Sequence, residues 1–122
     1  MRLTIYQKPT CSTCRDVMTR LRDAGFEYDA INYIIDPPSR ETLVELIRKM
    51  GISPRELLRT KEPEYKEFGL ADHTLTDDMI IDAMIAHPSL IQRPILEYGP
   101  NAALARPADR VGQIVAEWKS RE

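Results

Sequence analysis

The sequence has few or none of the features that would directly identify a membrane protein, a secreted protein or a nucleic-acid-binding protein. Its 122 residues include two cysteines and two histidines, and no apolar run approaches the about 20 residues that span a bilayer. The start Met-Arg-Leu-Thr-Ile lacks the apolar core of a signal peptide. A formal net charge of −2 gives no electrostatic attraction to nucleic acid or an anionic membrane. We therefore expect a cytoplasmic protein that binds neither.

The few cysteines and histidines also argue against zinc. Cys11 and Cys14 form a Cys-x-x-Cys pair, but a second pair is missing, and His73 and His87 are too far apart for the usual ligand spacing. We expect no metal. In a reducing compartment, two cysteines at this spacing are typical of catalytic or redox-active thiols rather than of a permanent bridge.

The length and a hydrophobic content of 43% predict one domain over residues 1–122. The first part of the chain alternates strand, helix and strand, over 3–6, 14–21 and 28–33. A short return between two such strands predicts a parallel pair with a right-handed crossover.

The middle of the chain, about 39–88, predicts a helical insert. One helix ends at Gly51, a capping box at Ser53 to Glu56 opens a short helix carrying Leu57-Leu58-Arg59, and Thr76 caps another helix. A hairpin over 94–105 and a last helix from near Pro107 follow. The order β-α-β, helical insert, β-β-α is that of an α/β thioredoxin-like fold with a mixed four-stranded sheet.

Cys11 stands where the first strand leads into the first helix. The unpaired N–H groups and the macrodipole of a helix start stabilise a thiolate or a bound oxyanion, and they lower thiol pKa values to about 3.5–7.5. Arg15 adds positive charge nearby. Although a free cysteine is often a plain core residue, this position favours a nucleophilic Cys11 thiolate near neutral pH.

Cys14 has two interpretations that the sequence leaves open. It lies three residues after Cys11 on the same helical face, within reach of a disulfide, so it could resolve an intermediate formed at Cys11. It also belongs to the inward apolar stripe of the helix with Val17 and Met18, which favours a structural role.

Arginine outnumbers lysine twelve to five, and guanidinium suits forked hydrogen bonding to an oxyanion. Most of the arginines are expected to be surface charge on polar helix faces or ends, as at Arg20, Arg22, Arg48 and Arg55. Arg93 and Arg106 differ because each precedes a proline at the edge of the predicted hairpin, where the backbone is restricted. An Arg-Pro bond there is also a candidate cis peptide.

Several separated motifs together resemble one family. They are Thr4-Ile5-Tyr6, Pro9-Thr10-Cys11, Tyr33, Pro37-Pro38, Met50-Gly51-Ile52-Ser53, Leu57-Leu58-Arg59, Phe68-Gly69-Leu70-Ala71, Leu75-Thr76-Asp77-Asp78, His87-Pro88, Arg93-Pro94-Ile95 and Arg106-Pro107. Collinearly from Leu3 to about Trp118, the chain resembles the cytoplasmic arsenate reductases of thioredoxin fold that are coupled to glutathione and glutaredoxin.

The resemblance implies a site and a reaction. Cys11 would attack arsenate, and Arg59, Arg93 and Arg106 would form the oxyanion site. Contacts to the substrate would also come from Lys8, Ser12, Thr13 and Arg15. A monomer without bound cofactor is expected, with glutathione and glutaredoxin as external reductant, or with thioredoxin if Cys14 resolves the intermediate.

Two departures from the family pattern keep alternatives open. Gln7-Lys8 stands where such reductases often have His-Asn, so Lys8 could supply the positive charge instead. Cys14 stands where they usually carry a residue without a thiol, as in related redox-sensing regulators that bind RNA polymerase through a Cys11–Cys14 switch. Such a regulator, or a general thiol-disulfide oxidoreductase, is the alternative function, although the arginine trio favours the reductase.

Overall fold

The computed structural model describes residues 2–122. The chain forms two compact units, one made of residues 2–36 together with Arg93–Glu122 and the other of Pro37–Gln92. The grouping of the whole chain into one domain stays a prediction. No helix within residues 2–122 has the length and apolar character needed to cross a membrane.

The first unit contains a four-stranded mixed sheet, which confirms the predicted fold class. Its strands are β1 (Leu3–Gln7), β2 (Tyr28–Asn32), β3 (Ile95–Tyr98) and β4 (Asn101–Leu104), in the order β2-β1-β3-β4. β1 is parallel to β2 and antiparallel to β3, which in turn is antiparallel to β4. The predicted β-α-β unit and the predicted hairpin are both present.

Two helices complete this unit by covering the sheet. α1 (Ser12–Asp23) and α5 (Val111–Ser120) contribute their apolar faces to one core cluster with residues of β1 and β3. The members of that cluster include Leu3, Ile5, Val17, Leu21, Leu96, Val111, Val115 and Trp118. The last helix begins at Val111 rather than near Pro107, because Ala108–Arg110 first form a 3₁₀ turn.

The second unit contains α2 (Arg40–Met50), α3 (Pro63–Glu67) and α4 (Asp77–Ala86). The Ser53 side chain accepts from the Glu56 N–H while the Glu56 carboxylate accepts from the Ser53 N–H, which confirms the predicted capping box. Gly51 ends α2 with φ of 67°, a left-handed conformation in which glycine carries no steric cost.

Two expectations for this unit are wrong. The short helix is a 3₁₀ helix that stops at Leu57, because Arg59 N–H donates to the Leu90 carbonyl and Gln92 N–H to the Leu57 carbonyl, each at 2.8 Å. Arg55 is not simply surface charge, since its guanidinium donates to the carbonyls of Leu70 and Asp72 at 2.7 and 2.8 Å.

The core of the first unit makes Leu21→Ala a test of its packing. Leu21 is fully buried in the cluster, so we expect the free energy of unfolding to fall by about 2–5 kcal/mol in urea denaturation. The neighbouring Arg22 side chain is exposed, and Arg22→Ala should stay within about 0.5 kcal/mol of the wild type. Equal stabilities of the two variants would contradict this packing.

Candidate active site

The segment between β1 and α1 holds Cys11 at the start of the helix. A turn is closed by the Cys11 N–H, which donates to the Lys8 carbonyl at 2.9 Å. Cys11 is the N-cap residue of α1, and its Sγ accepts from the Cys14 N–H at 3.4 Å. A sulfur therefore occupies the capping position that a serine or aspartate oxygen usually fills, and it is partly exposed.

The first turn of α1 leaves two backbone donors beside this sulfur. The Cys14 N–H is used by Cys11 Sγ, and the Arg15 N–H donates to the Cys11 carbonyl at 3.1 Å. The N–H groups of Ser12 and Thr13 occupy the first two helical positions, where the helix itself offers no acceptor. They and the positive end of the helix dipole can receive an anion.

Arg93 brings a guanidinium to the Cys11 sulfur. Its side chain is buried, with 5% exposure, and it hydrogen-bonds Cys11. Arg93 Nη1 also donates to the Tyr33 hydroxyl at 3.4 Å, and Arg106 Nη1 donates to the Arg93 carbonyl at 2.9 Å. Both candidate peptide bonds, Arg93-Pro94 and Arg106-Pro107, are cis. The structure thus brings Arg93 to Cys11 and Arg106 to the Arg93 backbone, and the oxyanion site that the resemblance implies for these arginines stays a prediction.

These contacts lower the pKa of Cys11, so that it ionises more easily than an ordinary thiol. Burial by itself raises the pKa of Cys11, but hydrogen bonds from the Cys14 side chain and N–H and from Arg93 outweigh it and lower the pKa to about 7. Arg93 responds in the same sense: burial lowers its pKa, contacts with Tyr33 and Cys11 raise it, and the net shift is upward. A cation and a thiolate therefore coexist here at neutral pH.

Cys14 has the opposite character. It is fully buried, and burial raises its pKa to about 12, an effect that the neighbouring Cys11 reinforces and the Lys8 N–H partly offsets. Cys11 is therefore the thiol of the pair that ionises near neutral pH, and Cys14 is a buried, protonated donor. Since the thiolate is the attacking form of cysteine, a nucleophilic role for Cys11 stays the prediction.

Other predicted site residues lie around the same segment. The Arg15 guanidinium is exposed and donates to the Pro9 carbonyl at 3.0 Å, so it braces the loop before Cys11. Gln7 is buried at 6% exposure, and its Oε1 has no hydrogen-bond partner within residues 2–122. The roles of Lys8, Ser12, Thr13 and Arg15 in substrate binding stay predictions.

Arg59 belongs to the unit of residues 37–92 and has partners there. Its Nε pairs with Glu62 Oε1 at 3.0 Å, and its Nη1 donates to Gln92 Oε1 at 2.7 Å. Its place in an oxyanion site stays a prediction. Within residues 2–122, no group of three or more histidine, cysteine, aspartate or glutamate side chains could hold a metal ion.

Tyr33 is a site residue that sequence reasoning did not assign. Tyr33 belongs to the motifs that carry the family resemblance, but no local pattern predicts that its hydroxyl contacts Arg93, which lies 60 residues away in sequence. One signal does place Tyr33 near Cys11. Each residue follows a strand of the predicted parallel pair, and parallel strands end at the same end of the sheet.

An ionisable cysteine at the start of a helix, next to a mixed four-stranded sheet, defines a thiol-reactive protein of thioredoxin-like fold. Comparison with known proteins gives the family. The model of the ArsC family matches residues 6–114, so the chain belongs to the ArsC family. The resemblance read from the sequence motifs is thereby confirmed.

Individual relatives agree with this assignment. The chain is 44% identical to the arsenate reductase of Escherichia coli strain K12, over 94% of this chain and 82% of that protein. It is 38% identical to the uncharacterized protein YfgD of the same organism, over 91% of this chain and 94% of that protein. The solved arsenate reductase of Vibrio cholerae superposes with a TM-score of 0.89 at 37% identity, covering 93% of this chain and 98% of that one.

The two thiols should differ in their reaction with iodoacetamide. We expect alkylation of Cys11 to follow a pH midpoint near 7, because only the thiolate reacts. Cys14 should stay unmodified in the folded protein until far more alkaline pH, since its pKa is about 12. Mass spectrometry of peptides carrying each residue measures both rates, and faster labelling of Cys14 at neutral pH would contradict the assignment of the nucleophile.

Proposed function

We propose that this chain is a cytoplasmic arsenate reductase that uses the Cys11 thiolate as its nucleophile. The observation that carries the proposal is the Cys11 sulfur at the start of α1, with its pKa lowered to about 7 by Cys14 and Arg93. Membership of the ArsC family and the relatives named arsenate reductase support the choice of substrate.

Arsenate is a tetrahedral oxyanion, and the proposed site offers groups that suit it. The N–H groups of Ser12 and Thr13 would receive its oxygens at the helix start. Arg93 and Arg106 would neutralise its charge, and Arg59 enters the proposal through its family motif. Fixed guanidinium groups of this kind stabilise the charge that develops in the transition state without having to reorganise.

The proposed chemistry has two steps. The Cys11 thiolate attacks arsenic, a sulfur–arsenic bond forms, and one arsenic–oxygen bond breaks as its oxygen takes up protons and leaves as water. A second thiolate then attacks the Cys11 sulfur, so that the sulfur–arsenic bond breaks and its electron pair stays on arsenic. Arsenic is reduced from the pentavalent to the trivalent state, and the two sulfurs are oxidised to a disulfide.

We propose glutathione as the second thiol and glutaredoxin as the protein that reduces the resulting mixed disulfide. The alternative is attack by Cys14 followed by reduction of a Cys11–Cys14 bridge by thioredoxin. The burial and raised pKa of Cys14 support the external thiol, because a protonated sulfur inside the core is a poor attacking group.

The arginine trio can be tested by substitution. We expect Arg59→Ala, Arg93→Ala and Arg106→Ala each to lower kcat/KM for arsenate by about 10²–10³, the usual effect of removing one preorganised donor. Turnover is measured as NADPH oxidation with glutathione, glutaredoxin and glutathione reductase, with Cys11→Ser as the blank. Arg22→Ala and Arg48→Ala, exposed in the first and second units, are the matched controls.

The outcomes of this assay separate the candidate functions. An unchanged rate in Arg93→Ala would contradict the oxyanion site. Absence of arsenate-dependent turnover in the wild type, together with retention of RNA polymerase on the immobilised protein, would favour the redox-sensing regulator. Reduction of protein disulfides that does not need Arg59 or Arg106 would favour a general oxidoreductase.

Replacing Cys14 tests the identity of the second thiol. We expect Cys14→Ser to keep turnover driven by glutathione and glutaredoxin, since the hydroxyl can still donate a hydrogen bond to Cys11 and the attacking sulfur comes from outside. Turnover with thioredoxin and its reductase is compared for wild type and variant. Loss of activity under both reductants would show that Cys14 is an obligatory resolving cysteine.

A further inference from the structure

We propose that Tyr33 is a positioning residue for the Cys11 thiolate, acting through Arg93. The inference deepens the proposed function, on which its catalytic consequence rests. Tyr33 is 1% exposed, and its hydroxyl accepts from Arg93 Nη1 at 3.4 Å. The same guanidinium hydrogen-bonds the Cys11 sulfur. One side chain thus joins the tyrosine hydroxyl to the nucleophile.

The sheet topology brings these groups to one edge. β1 and β2 are parallel, so both end at this edge, where Cys11 follows β1 and Tyr33 follows β2. β3 is antiparallel to β1 with Ile95 opposite Tyr6, so Arg93 lies just before β3 at the same edge. Arg106 follows β4, which is antiparallel to β3 with Leu104 opposite Ile95.

Arg93 needs such support because an arginine side chain has many rotamers and loses conformational entropy when it is fixed in one of them. Its backbone is held by Arg106, which donates to its carbonyl at 2.9 Å, and this contact does not orient the guanidinium. Tyr33 does, since its own N–H donates to the Gln7 carbonyl at 3.3 Å and its ring is buried. At 3.4 Å the hydroxyl contact is longer than the usual range of about 2.7–3.2 Å for an N–H···O hydrogen bond, so we expect its effect on the guanidinium to be modest.

Few groups act on the pKa values of Cys11 and Arg93. Cys14 on α1 and Arg93 before β3 are the groups that set the Cys11 pKa, and Tyr33 and Cys11 are those that set the Arg93 pKa. Tyr33 is not among the groups that set the Cys11 pKa, and it contacts the guanidinium of Arg93. Tyr33 therefore acts on Cys11 by orienting that guanidinium.

Tyr33→Phe removes the hydroxyl alone and is the variant that tests this inference. We expect the pH midpoint of Cys11 alkylation by iodoacetamide to rise, and kcat/KM for arsenate to fall by about threefold to tenfold, as for the loss of one modest hydrogen bond. The shift in midpoint should disappear in an Arg93→Ala background, because the proposed route from the tyrosine to Cys11 passes through that guanidinium.

Tyr98→Phe is the matched control. Its hydroxyl donates to Glu122 and its side chain is buried. Tyr98 lies opposite Leu3, however, and Leu3 is about 13 Å from Gln7 along β1, so Tyr98 is at the other end of the sheet. Its alkylation midpoint should match that of the wild type. Circular dichroism establishes that each variant is folded.

An unshifted midpoint in folded Tyr33→Phe would overturn the inference. If that variant does not fold, Arg93→Lys gives the answer, since it keeps the positive charge but loses the forked guanidinium that joins Tyr33 to Cys11. A raised midpoint there supports orientation, and an unchanged one overturns it. A shift in Tyr33→Phe without any arsenate turnover in the wild type would leave the positioning role intact and refute the proposed function instead.

Discussion

The rest of the site depends on one sulfur that ionises near neutral pH at the start of a helix. Burial opposes this ionisation, and hydrogen bonds from Cys14 and Arg93 overcome it. Those contacts follow from the strand directions in the sheet, because β3 runs antiparallel to the other three strands. The ends of β1, β2 and β4 and the start of β3 therefore lie at the same end of the sheet. The mixed sheet is thus the scaffold that assembles the thiolate environment from segments far apart in sequence.

The two cysteines are alike in the sequence and different in the structure. Cys11 precedes the helix and is partly exposed, whereas Cys14 lies on the inward face of α1 with Val17 and Leu21. Three residues of helix are enough to move a thiol from the surface into the core, so spacing alone could not assign their chemistry. Burial raises both pKa values, but hydrogen bonds from Cys14 and Arg93 bring that of Cys11 below its ordinary value, whereas that of Cys14 stays raised.

The sequence predicted those features that depend on residues close together along the chain. Local sequence signals predict the element order, the Ser53–Glu56 capping box and the position of Cys11 at the start of α1. All three features are present in the structure. The helix predicted through Arg59 failed because Leu58 pairs with Ile91 in a β-bridge. The Arg55 contacts to Leu70 and Asp72 and the Tyr33 contact to Arg93 likewise join residues far apart in sequence, for which a single sequence carries no local pattern.

Gln7 supplies no charge to the thiolate, and Arg93 is a cation that lowers the Cys11 pKa. The resemblance implies that a histidine often stands at this position and helps to ionise the thiol, but a buried glutamine amide carries no charge. A histidine with an ordinary pKa of about 6.5 would lose its charge over the same pH range in which Cys11 ionises. Arg93 keeps its charge throughout, and its pKa is raised further here. The thiolate in this chain is therefore stabilised by a group whose charge is constant, and what remains to be controlled is the orientation of that group.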